Sequence, residues 1–82
     1  MGTTQQHLTS METEAELRDA LLAIRGRGVK PSILADRAGV SRACLSKFMS
    51  GRSKYLRSDT FTRIRGVART EAHRLRLEVK VI

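Results

Sequence analysis

The chain has 82 residues, with sixteen Lys plus Arg against eight Asp plus Glu and a net charge of +8 at neutral pH. That length holds one small domain, too little for most two-lobed enzymes or a nucleotide-binding sheet, and a core this small rarely supplies more than about 3–5 kcal/mol. Aromatic residues make up 4% and Trp is missing, so the core has to be aliphatic; one cysteine, Cys44, excludes an intramolecular disulfide and a cysteine zinc finger. His7 and His73 lie far apart and share no metal-ligand spacing. No apolar run reaches the length of a membrane span. The polar start lacks the basic and apolar stretches of a secretory signal, so a cytoplasmic, nucleoid-associated location is expected.

Charge is distributed unevenly. Residues 1–24 carry Arg18 against Glu12, Glu14, Glu16 and Asp19, a balance of −3, whereas residues 42–69 carry eight cations against Asp59, a balance of +7. A basic half on a small chain points to a polyanionic partner, with nucleic acid the commonest, anionic lipid the rival, and a solvated face the bland alternative.

Residues 1–11 are polar and aperiodic and read as a disordered leader. Thr13-Glu-Ala-Glu16 is a capping box, in which Thr13 caps an early N–H and Glu16 reciprocates. Leu17, Ala20, Leu21 and Ile24 then recur at helical spacing, which predicts a helix over about 13–25, stopped by Gly26-Arg-Gly28. Pro31 suits the first turn of a second helix, reaching about residue 38, where Gly39 breaks it. Ser41 is a natural N-cap for a third helix over about 41–50, and Gly51 ends it. The basic loop 51–58 follows. Ser58 or Asp59 caps a fourth helix with the stripe Phe61, Ile64, Ala68, Ala72 and Leu75. From Leu75 the period changes to two, with Leu77, Val79 and Val81 alternating with charged residues, which is strand chemistry.

The most informative segment is Pro31-SILADRAGVSRACLSKFMSGR. Ala35 is small where two helices cross, Gly39 stands in the turn four residues on, and Val40, Leu45 and Phe48 fill in behind. This is the helix-turn-helix pattern, whose second helix presents its polar face to a DNA major groove. LADRAGVSRACLSKFMSGR, residues 34–52, resembles the Cro and phage-repressor type helix-turn-helix family, and with flanking helices the likeness extends over residues 13–74. Pro31-Ser32 stands where that family often has Gln. The resemblance implies a sequence-specific double-stranded DNA-binding regulator, most simply a homodimeric repressor on a palindromic operator.

With the third helix in the groove, Ser41, Arg42, Ala43, Ser46 and Lys47 face the bases. Arg42 is the leading reader, since its guanidinium can donate twice to guanine O6 and N7, with a phosphate clamp as the alternative. Lys47 suits base or phosphate equally. Ala43 lies against a thymine methyl or merely gives clearance, and Ser41 has a competing role as N-cap. Ser32, at a helix start, and Arg52, Lys54 and Arg57, after the reading helix, are the phosphate candidates. Tyr55 reads as packing against the core, with a phosphate bond as the other option. Arg63, Arg65 and Arg69 read as solvated, and Cys44 as edge packing.

The organisation expected is therefore a leader at 1–11, a mostly α four-helix domain at 12–74, and a strand at 75–82. Leu75, Leu77, Val79 and Val81 of that strand would pair with a second copy across a twofold axis; an extension of the fourth helix or a frayed tail is the alternative. No nucleophile–base set, metal cluster or phosphate loop is present in the sequence, so neither enzymatic activity nor a cofactor is expected. The competing functional reading is an antitoxin- or antirepressor-like protein-interaction module.

Overall fold

The computed structural model of the chain describes residues 11–75, which form four helices: α1 (Glu14–Gly26), α2 (Pro31–Ala38), α3 (Arg42–Ser50) and α4 (Ser58–Arg74). The first three begin on a local signal. Thr13 caps α1 as part of a complete capping box, its hydroxyl accepting from the Glu16 N–H at 3.2 Å while Glu16 Oε1 accepts from the Thr13 N–H at 3.1 Å. Pro31 occupies the first position of α2, where its missing N–H costs no helical bond. Ser41 caps α3, its Oγ accepting from the Cys44 N–H at 3.0 Å. α4 takes Arg57 as its N-cap with no side-chain capping bond, so neither Ser58 nor Asp59 is the cap expected of them: both lie inside the first turn, and the helix continues through Gly66 without a break.

α4 packs across both α1 and α2, while α3 is held against α2 and α1. The faces that meet are those spaced for it: Leu17, Ala20, Leu21 and Ile24 of α1; Leu34, Ala35 and Ala38 of α2; Leu45, Phe48 and Met49 of α3; Ile64, Ala68 and Ala72 of α4. The core is aliphatic around one fully buried ring, Phe48. Val40, Phe61 and Val67 pack partly buried at its edge, and Cys44 is half-buried.

Two expectations for the ends of the domain need correction. Met11 belongs to the core, at 1% exposure, not to a disordered leader. The Glu16 carboxylate also accepts the Glu12 N–H at 3.1 Å, which fixes the path into α1 and brings the preceding apolar side chain onto the core. Leu75 does not begin a strand. Its N–H donates to the Glu71 carbonyl at 2.9 Å, its φ and ψ of −86° and −1° are helical, and its side chain packs against the core. Leu75 sits three residues beyond Ala72 and seven beyond Ala68, so helical burial overrides the alternation read from residue 75 on. Among the described residues there is no strand; Leu77, Val79 and Val81 lie outside them.

Candidate nucleic-acid interface

The turn between α2 and α3 is set by a single left-handed residue. Gly39 has φ +71° and ψ 31°, a conformation an L side chain enters at a cost of about 1–2 kcal/mol. With it in place, the Gly39 N–H donates to the Asp36 carbonyl at 3.2 Å and the Val40 N–H to the Ala35 carbonyl at 3.1 Å. These two bonds satisfy the open end of α2 and turn the chain into Ser41. Ala35, fully buried, lets the two helices approach.

α3 then has two unlike faces. Leu45, Phe48 and Met49 are buried, whereas Ser41 at the cap and Arg42, Ala43, Ser46 and Lys47 on the helix are all exposed. The five residues expected to face bases are thus brought onto one solvent-facing surface, from the cap through the second turn. Gly51, at φ +87°, ends the helix, and the Arg52 and Ser53 N–H groups both donate to the Lys47 carbonyl, at 3.0 and 3.1 Å. Arg52, Lys54 and Arg57 follow, each exposed. Arg57 lies 3.7 Å from Asp59, a solvated ion pair of little energetic weight. Ser32 is half-buried in the first turn of α2, whose N-cap, Lys30, makes no side-chain capping bond.

Three features were not read from the sequence. First, Arg18 of α1 holds the far end of α3: its Nε donates to the Phe48 carbonyl at 2.8 Å, its Nη2 to the Ser53 carbonyl at 3.4 Å, and its guanidinium lies 4.7 Å from the Phe48 ring centre. A cation at a helix C-terminus also meets the negative end of the helix dipole. The available signal was that Arg18 is the lone cation among the carboxylates of residues 1–24. Second, Glu71 is 1% exposed within the apolar stripe of α4. Arg37 of α2 bonds one of its oxygens, and Arg74 donates to the other from Nη2 at 2.6 Å and from Nε at 3.1 Å. A carboxylate at a stripe position with an arginine three residues on was the signal there. Third, Arg42 Nη2 lies 3.3 Å from Asp36 Oδ2, across the turn.

Two surface readings also change. Tyr55 is 78% exposed rather than packed against the core. Its neighbour Leu56 is the residue of this loop that packs partly buried against the core. Arg65 and Arg69 are not simply solvated: each lies 3.8 Å from the Glu12 carboxylate, and Arg65 covers the Phe61 ring at 5.4 Å. Arg63 is exposed, as expected.

Among the described residues, no group of three or more His, Cys, Asp or Glu side chains is placed to hold a metal, and no helix is long and apolar enough to cross a membrane. No family model, curated protein or solved structure matches the chain, so its functional reading rests on the side chains themselves.

Proposed function

We propose that the chain is a sequence-specific, double-stranded DNA-binding regulator that reads a major groove with α3. The observation that carries this reading is the exposed surface of Ser41, Arg42, Ala43, Ser46 and Lys47, backed by a buried face and followed by exposed Arg52, Lys54 and Arg57. A major groove about 12 Å wide admits a helix, and the short side chains of Ala43 and Ser46 between two cations let the backbone come close to base edges. Arg42, at the leading end of α3, supplies two parallel donors for guanine. Lys47 serves a base edge or a phosphate one turn on. Arg52, Lys54 and Arg57 supply the sequence-independent attraction, and Ser32 at the start of α2 adds a phosphate contact.

The regulator acts as a homodimer, with residues 76–82 and their Leu77, Val79 and Val81 joining two copies across a twofold axis. The reading helices then stand about 34 Å apart and demand a palindrome with half-sites about 10 base pairs apart. Occupying such an operator represses transcription by exclusion. Selection of bound duplexes from a random pool tests the whole reading: a twofold-symmetric consensus is expected, and recovery of no enriched sequence would overturn it.

A further inference from the structure

From Pro31 to Arg57 the chain carries six cations, Arg37, Arg42, Lys47, Arg52, Lys54 and Arg57, and one carboxylate, Asp36. That carboxylate is paired with the residue placed to read bases: Asp36 Oδ2 lies 3.3 Å from Arg42 Nη2, although both side chains are well exposed, at 63% and 69%. The two residues sit on different helices, on either side of the Gly39 turn. Arg42 is the first residue of α3, where the positive helix end disfavours a cation, and Asp36 offsets that charge from the helix before it.

We infer that Asp36 is a positioning and specificity-determining residue for Arg42, an inference that rests on the DNA-reading function proposed above. A guanidinium has five N–H donors in one plane. One of its terminal nitrogens is held by Asp36, and the remaining donors stay free for O6 and N7 of a guanine. A phosphate taking the same donors would bring a second negative charge beside Asp36, whereas a guanine edge is uncharged. Asp36 therefore biases Arg42 away from backbone contacts, which are the same at every sequence, and toward base contacts, which are not. Sequence-independent affinity falls and discrimination rises, as when a repulsive element is set against the wrong partner.

The test is a double-mutant cycle read as binding. Affinities for the selected operator and for a scrambled duplex are measured for the wild type, Asp36→Asn, Arg42→Ala, the double variant and Asp36→Glu. Both side chains lie in solvent, so all the variants are expected to fold. Asp36→Asn should tighten scrambled-duplex binding roughly two- to fivefold and lower the operator-to-scrambled ratio roughly five- to tenfold. In the Arg42→Ala background the same substitution should leave that ratio unchanged, and Asp36→Glu should keep most of it. A wild-type ratio in Asp36→Asn, or an equal drop with and without Arg42, would overturn the inference while leaving the DNA-reading function standing. A wild-type chain that selects no duplex sequence would overturn both.

Discussion

Arg18 and Phe48, thirty residues apart in the chain, form the joint that fixes the end of α3: the Arg18 Nε donates to the Phe48 carbonyl at 2.8 Å while its guanidinium covers the Phe48 ring at 4.7 Å. The same side chain reaches the Ser53 carbonyl at 3.4 Å, so α1 also anchors the start of the basic segment. A hydrogen bond from a charged donor contributes about 1.5–3 kcal/mol and a partly desolvated cation–π contact about 0.5–2 kcal/mol. Arg18→Met keeps the apolar stem and removes both. It should destabilise the fold by about 2–3 kcal/mol in denaturant titration, a large fraction of what so small a domain holds.

Gly39→Ala isolates the cost of the turn. A Cβ there would meet Arg63 Nη1 at 3.8 Å, ordinary contact, so the penalty comes from the +71° φ and not from crowding. About 1–2 kcal/mol of stability should be lost. If a thermal melt instead shows the variant as stable as the parent, the left-handed turn is not needed.

The Glu71 carboxylate is buried between two arginines that keep roughly half of their own side chains in solvent. Replacing it with neutral Gln leaves Arg37 and Arg74 able to turn to water, so the loss should fall below the 3–5 kcal/mol of a fully buried broken pair, at about 1–3 kcal/mol. Glu71→Ala, which also empties a core position, should cost more than Glu71→Gln under the same denaturant series.

Salt and single substitutions separate base reading from backbone attraction. In the proposed dimer on DNA, some 6–10 neutralised phosphates would give a log–log slope of affinity against salt of about −5 to −9, and a slope near zero would remove the nucleic-acid backbone as the main partner. Arg42→Ala should relax preference at one base pair per half-site, at about 1–3 kcal/mol, whereas Lys54→Ala should weaken every duplex alike. Equal losses on operator and scrambled duplexes for Arg42→Ala would assign that side chain to phosphate.

Leu75 packs on the core while the proposed dimer segment begins after it. Ending the chain at Leu75 should therefore leave the helical domain folded, monomeric by light scattering and without specific binding. A truncated chain that stays dimeric would move the interface onto the helices. Leu75→Ala, by contrast, should lower thermal stability in the full-length chain.

The local rules were legible because they act within one turn of chain. Thr13 and Glu16, Ser41 and the Cys44 N–H, and the left-handed Gly39 and Gly51 all concern residues no more than five apart, and they placed the start of α1, the end of α2 and both ends of α3 to within a residue or so, whereas α4 starts without the side-chain cap expected of Ser58 or Asp59. The apolar stripes followed from the same periodicity, and with them the exposed face of α3. What the tertiary structure decided is which distant groups meet. Arg18 with Phe48, Arg37 with Glu71, and Arg65 and Arg69 with Glu12 join different elements or distant parts of the chain. No periodicity specifies such pairings, because a long charged side chain can reach many partners until packing fixes the elements. Met11 was misplaced, and Leu75 was claimed both by the helical stripe and by the strand, for a related reason: at the edge of the domain the pattern is short, and burial against the core outweighs the local signal.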